Sequence, residues 1–370
     1  MLHGLEQTLG VLVLVLILLD ISLTVLYARM GTGIISPGLA RFIWKGFLRG
    51  SKLFGRRREH ALSFCGPAIV IMLLFVWALG LTCGAALIIH PQLGAAVRNS
   101  SGATPTDFVT ALYTGGSSIS IVGSSTFTPH TSGFRLFYLF NSLIGMSVVS
   151  LTLTYLMQIY NALQQRNTFG LKLYLLTSKT ADAAELIAGL GRQGQFSSGY
   201  SNIVDLGAGM TQIKEMHHFY PVLMYFRFVE VYYSISMSAL LALDTVTLLR
   251  TALHDEEYDW LKESASVSQL WYAALLLLTS LEDTFLPGGA PEIGQQPDAR
   301  TKERWRCRYL AALQRFRRAG IRIIENEEAG TAAYISMRTE WDGYITALAP
   351  FLAYSMTEID PASNKGGMQV

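Results

Sequence analysis

Three long apolar runs constrain this chain more than any other feature. A helix that crosses a bilayer needs about 20 mostly apolar residues, and the sequence supplies such runs at 8–27, 66–89 and 137–156, the last extending as far as Ala162. With 51% hydrophobic residues and a formal net charge of +2, the 370-residue chain offers little to nucleic acid, and no nucleic-acid partner is expected. Its apolar content is concentrated in the N-terminal half, so a membrane part followed by a more polar part is expected. The lipid bilayer is the first partner implied. Cys65, Cys83 and Cys307 lie too far apart for a metal or redox motif and read as small hydrophobes.

The first run could be a signal peptide, but its N-terminal flank carries Glu6 and no Lys or Arg, and the basic residues follow it. It reads as a retained helix. Asp20 inside it is costly in lipid and is expected to face protein or water. Between the first two runs stand Arg29, Arg41, Lys45, Arg49, Lys52, Arg56, Arg57 and Arg58 against the acid Glu59. The excess of positive charge makes this linker cytoplasmic. The N-terminus is then outside, the chain is multi-pass, and the part beginning with Arg166, Lys172 and Lys179 is cytoplasmic, in a cell (inner or plasma) membrane.

The segment between the second and third runs carries the functional signal. Thr104-Pro105-Thr106-Asp107 reads as a helix start, with Thr104 as cap and Pro105 at the first helical position. The helix that follows is too short to span and meets Gly115-Gly116, then a run of small residues from Ser117 to Ser125. Irregular backbone at membrane depth survives only where it is buried in protein or lines water. A short re-entrant helix with its negative dipole end at the membrane centre, followed by an extended strand of carbonyls, is how a cation pore is built.

Here the sequence resembles the potassium-channel pore-loop family. Asp107–Thr131 (DFVTALYTGGSSISIVGSSTFTPHT) aligns with that family's pore helix, filter and outer loop without a gap. Ser120, Ile121, Val122, Gly123, Ser124 and Ser125 stand where the family has Thr-Thr-Val-Gly-Tyr-Gly, Pro129 at its post-filter proline, and Gly145 at its gating-hinge glycine. The resemblance covers 63–166. It implies an all-α membrane protein: a two-helix pore domain with pore helix and filter, an extra N-terminal transmembrane helix before it, and a helical cytoplasmic domain after it. It also implies a homotetramer, since one pore loop per chain needs four chains to close a filter, with monovalent cations such as potassium in that filter and no other cofactor. The filter threonine, tyrosine and second glycine are replaced by Ile121, Ser124 and Ser125, and Asp107 is the lone carboxylate between Ala61 and Ala181. Potassium-selective conduction, weakly selective cation conduction, and a non-conducting scaffold or sensor that keeps the pore domain as an oligomerising anchor all stay open.

After the hinge position, Met146, Val149, Leu153 and Met157 recur at helical spacing, and four copies would form apolar rings able to gate by dewetting. The expected division is 1–60 for the first helix and basic linker, 61–166 for the pore domain, and 167–370 for the helical cytoplasmic domain with a disordered tail, open to an unknown ligand or protein partner. Within it, 221–249 is long and apolar enough for a fourth span, but Arg227, Glu230 and Asp244 inside it and Asp255, Glu256 and Glu257 after it favour a buried apolar helix. Residues 301–319 read as an amphipathic helix whose arginines, Arg304, Arg306, Arg308, Arg315, Arg317 and Arg318, lie off the apolar face and are solvated or ion-paired. Gly189–Gly194 fits G-x-G-x-x-G, but it follows a helical pattern rather than a strand, so a helix end is expected there instead of a dinucleotide site. Glu215, His217 and His218 invite a metal reading, yet adjacent histidines point to different helix faces. No nucleophile–base constellation is present, and an enzyme is not expected.

Overall fold

The computed structural model describes residues 2–27, 29, 32–120, 126–286 and 297–361. Among the described residues the regular structure is helical apart from two short strands. The helices are α1 (Leu2–Ile21), α2 (Ser36–Ser51), α3 (Arg58–Ser63), α4 (Cys65–Ile89), α5 (Phe108–Ile119), α6 (Ser132–Leu176), α7 (Ala183–Leu190) and α8 (Tyr200–Phe219). They continue with α9 (Ile235–Ala252), α10 (Asp255–Lys262), α11 (Ala265–Phe285), α12 (Ala299–Arg318), α13 (Glu327–Thr339), α14 (Asp342–Phe351) and α15 (Met356–Ile359). Strands β1 (Val97–Asn99) and β2 (Phe127–Pro129) pair antiparallel, Val97 opposite Pro129.

Two compact units result: Met1–Gly46 with Cys65–Tyr160, and Phe47–Phe64 with Asn161–Val370. The expected boundary at residue 166 therefore moves to 160, and part of the basic linker groups with the C-terminal unit. The cause of the first shift is Arg166. It is buried, and its guanidinium donates to the carbonyls of Leu223 (2.8 Å) and Phe226 (2.9 Å), which ties the end of the expected pore domain into the second unit.

In the first unit, α1 lies along α4, burying Leu14, Ile17 and Ile21 against Leu73, Trp77 and Leu81. Asp20 is fully buried with five donors. Ile34 and Ile35 N–H lie 2.7 Å from Oδ1 and Ser36 N–H lies 3.3 Å from it; the Ser36 hydroxyl (2.6 Å) and the Trp77 indole N–H (2.8 Å) donate to Oδ2. The carboxylate so placed satisfies the otherwise orphan N–H groups at the start of α2 and sits at the positive end of its dipole. At the other end of the α1–α4 pair, His90 Nδ1 lies 2.6 Å from Glu6.

In the second unit α9 is buried on every side, apolar but for Asp244, Arg250 and a few Ser and Thr. Leu240, Leu243, Val246 and Leu249 meet a shell that includes Leu277 and Leu281 of α11 and Tyr309, Leu313 and Phe316 of α12, all buried. The expected single helix over 221–249 is instead two short 3₁₀ turns, Pro221–Tyr225 and Val231–Tyr233, followed by α9. Arg308 is ion-paired, as one of the two expected arrangements has it, but it stands on the buried side of α12 and not off it: it donates to Asp244 Oδ2 (2.7 Å from Nη2, 3.1 Å from Nε) and to Asp360. Arg338 completes the network, donating to Asp360 Oδ2 (2.8 Å), the Tyr334 hydroxyl (2.9 Å) and Asp342 (3.0 Å). Burial disfavours the charged form of Arg308, but Asp244 and Asp360 outweigh it and hold the guanidinium above its ordinary value. Elsewhere on α12, Arg315 pairs with Asp182 (2.5 Å) and Arg317 with Glu327. Most of the linker expected at 286–300 and the tail after Asp360 lie outside the described residues.

Candidate pore segment and C-terminal unit

The helix expected after Thr104 begins later. Its N-cap is Asp107, whose Oδ1 accepts from Thr110 N–H (2.9 Å) and Oδ2 from the Thr110 hydroxyl (2.7 Å). Thr104 is used elsewhere, accepting the Asn99 N–H at 2.9 Å. A carboxylate outcompetes the Thr-Pro start because it takes both the backbone N–H and the hydroxyl of one residue. The helix also ends later. Gly115 and Gly116 do not break it, and α5 runs through Ser117 and Ser118, whose hydroxyls bond back to Tyr113 and Gly115 carbonyls, each at 2.7 Å.

Gly115 and Gly145 serve close packing. A Cβ on Gly115 would lie 2.8 Å from Ala86 N in α4, and a Cβ on Gly145 would fall onto the carbonyl oxygen of Ile119. The C-terminal end of α5 is thus pressed between α4 and α6. Asn141 of α6 donates to the Ser118 hydroxyl at 2.9 Å, fixing the same approach. Gly145 lies within the uninterrupted 45-residue α6, which overran its expected end by a wide margin. In the structure Gly145 is the place where α5 and α6 touch backbone to side.

Ser120 caps α5 with an extended backbone (φ −65°, ψ 139°), its N–H donating to Gly116 O at 2.9 Å. The other filter residues of the resemblance, Ile121, Val122, Gly123, Ser124 and Ser125, lie outside the described residues. The chain is described again from Thr126, whose carbonyl accepts Ser100 N–H at 2.8 Å, and Phe127 enters β2, packed with Ala86, Ile89 and Ala111. Both ends of the five-residue segment are anchored. Met146, Val149, Leu153 and Met157 all stand exposed on α6, from 44% at Val149 to 67% at Met157.

In the C-terminal unit Gly189–Gly194 forms the end of α7 and a turn in which Gln193 and Gly194 have φ of 59° and 76°. Among the described residues no three His, Cys, Asp or Glu side chains converge as a metal set. His217 is fully buried with neither ring nitrogen hydrogen-bonded, and burial, helped by Arg166, pushes its pKa down to about 3. The unfolded chain takes up this proton near the ordinary value of about 6.5 and the folded chain does not. His217 therefore contributes stability that is present above about pH 6.5 and is lost as pH falls toward the folded value. Relative to His217→Phe, the wild-type chain should lose about 1.4 kcal/mol per pH unit below pH 6; parallel unfolding curves of the two proteins between pH 7 and pH 4 would contradict this. Between α6 and α8 lies a groove of about 560 Å³ whose lining mixes polar side chains, Gln164, Gln165, Lys172, Asp205 and Gln212, with apolar ones such as Phe169 and Met216. Lys172 pairs with Asp205 at 3.0 Å and Gln212 donates to Gln165 at 2.6 Å.

Among the described residues, four helical stretches are long and apolar enough to cross a bilayer: His3–Leu26, Arg58–Gln92, Ser132–Leu176 and Ile235–Ala252. No family model and no solved structure matches the chain. Over 219 residues it is 21% identical to the uncharacterized membrane protein YdjJ of Bacillus subtilis, the match taking in 59% of this chain and 61% of that protein, so the chain spans about three fifths of this relative's length. Helix composition and relative together agree on a helical chain that resides in a membrane.

Proposed function

We propose that this chain is one subunit of a homotetrameric pore-loop cation channel with passive flow of monovalent cations, potassium or weakly selected. α1, α4 and α6 cross the membrane with the N-terminus outside. Their most apolar windows are 28%, 39% and 11% buried, leaving surface for lipid and neighbouring copies, whereas that of α9 is 94% buried and belongs to the core of the cytoplasmic unit. The observation that carries the reading is the end of α5. It is held against α6 at Gly145 and by Asn141, and it releases the chain extended at Ser120 just before Ile121–Ser125. Such a helix end offers its dipole and unsatisfied carbonyls to a cation. Four copies form a heterologous ring, with Met146, Val149, Leu153 and Met157 facing the cavity as the gate. The cytoplasmic unit assembles the ring or receives a ligand, for which the groove beside Gln164 and Lys172 offers polar groups directly on α6.

A second reading, a non-conducting anchor, draws on Ile121, Ser124 and Ser125 and on the use of Asp107 as a helix cap, which leaves no acidic ring at the pore. Planar-bilayer currents under opposed potassium and sodium gradients separate the two. A reversal potential that follows potassium indicates a selective filter, and one near zero a weakly selective pore. Leu153→Asn wets the apolar ring and should raise basal current at least tenfold. Silence of both wild type and Leu153→Asn would sink the channel reading and leave the anchor.

A further inference from the structure

The basic residues after the first apolar run are arranged, not merely abundant. On α2, Leu39, Ile43, Trp44 and Phe47 share one face, while Arg41, Lys45 and Arg49 recur every fourth residue on the other. Trp44 is buried. The three cationic side chains are exposed, and among the described residues none of them forms an ion pair. Phe42, 76% exposed, borders the same stripe. No Asp or Glu occurs between Asp20 and Glu59, so no nearby carboxylate in the sequence competes for these cations.

Asp20 fixes the depth of the stripe. It lies in the last turn of α1 and holds the N–H groups of Ile34, Ile35 and Ser36, and Thr24 adds a hydroxyl contact to Ser36 at 3.0 Å. α2 therefore starts level with the end of a bilayer-length helix. Exposed Tyr27, with the Arg29 guanidinium 5.0 Å from its ring centre, marks the same level in the manner of interfacial anchors. An amphipathic helix with a basic face and an exposed aromatic, held at that height, lies among lipid phosphates.

We propose that Arg41, Lys45 and Arg49 bind the headgroups of anionic phospholipids in the leaflet where α1 ends, with Phe42 at the boundary between headgroups and acyl chains. The full chain, purified in detergent and titrated with phosphatidylglycerol or phosphatidylcholine, is read by native mass spectrometry for bound lipid. Wild type should retain phosphatidylglycerol at concentrations where phosphatidylcholine is lost. Each single change to Gln should weaken retention about fivefold, and Arg41→Gln/Lys45→Gln/Arg49→Gln about a hundredfold. Arg41→Lys/Arg49→Lys keeps the charge and should retain the lipid, which separates loss of charge from loss of fold. Equal retention of the two lipids, single Gln variants indistinguishable from wild type, an equal loss on changing exposed Arg304, Arg306 and Arg318 of α12 to Gln, or displacement by inorganic phosphate would each overturn the proposal.

Discussion

Replacing Arg338 with Met should destabilise the C-terminal unit by about 3–5 kcal/mol, since breaking a buried ion pair strands a charge without a counter-ion. Arg338 is 1% exposed and serves Asp244, Asp342, Asp360 and Tyr334 at once. Its guanidinium is also flanked by the rings of Trp305 at 5.2 Å and Trp341 at 4.9 Å. In the Met variant Arg308 alone faces Asp244 and Asp360, so the buried network carries excess negative charge. Lys at this position should fare little better, because an ammonium cannot span three carboxylates and a hydroxyl with a planar fork. Thermal unfolding of the full chain in mild detergent, followed by tryptophan fluorescence, should show a midpoint lowered on the order of 10 °C. Adding Asp360→Asn to Arg338→Met should cost less than the sum of the two single changes, because the second change removes part of the stranded charge. A midpoint shift below 2 °C for Arg338→Met would mean that Arg308 compensates alone.

This network also shows where sequence reading succeeds and fails. The apolar runs at 8–27 and 66–89 anticipated α4 to within a residue and α1 with its start six residues late, because length and uninterrupted hydrophobicity are local properties. Sorting α12 by charge put every arginine off the apolar face, solvated or ion-paired. Position should have overruled type: Arg308 stands at i+3 from Trp305 and i−4 from Ala312, on the face that is buried. That the face is closed by Asp244, 64 residues away, is a tertiary fact no window contains. Asp20 was legible as a carboxylate needing protein, but not as the cap of a helix that starts 16 residues later. At α5 the expected cap, Thr104, gave way to Asp107 three residues on, whose carboxylate accepts from both the N–H and the hydroxyl of Thr110. The Gly115-Gly116 pair carries the signature of a break and of close packing alike, and the neighbours in α4 decide between them.

The same ambiguity makes Gly145→Ala the sharpest test of the pore segment. A glycine kept only as a hinge can accept alanine without loss of assembly, and the better helix former should stiffen α6 and alter gating alone. A glycine kept for contact cannot accept it, because the added methyl meets the Ile119 carbonyl, a backbone atom with no rotamer to adopt. α5 must then withdraw from α6, straining the Asn141–Ser118 bond and shifting Ser120 at the mouth of the candidate filter. Overpacking of this kind costs about 1–3 kcal/mol per site, and the proposed ring of identical subunits would repeat it in every copy. On the proposed tetrameric reading, Gly145→Ala should therefore lower both the assembled fraction in size-exclusion chromatography and any conducted current, and Gly145→Val should do so more severely. Trimming Ile119 to Ala should not rescue Gly145→Ala, since the clash is with backbone. A fully assembled Gly145→Ala protein with altered open times would return the residue to the role of hinge; an assembled protein rescued by Ile119→Ala would place the clash in the side chain, and the backbone contact of α5 with α6 would lose its claim to position the filter.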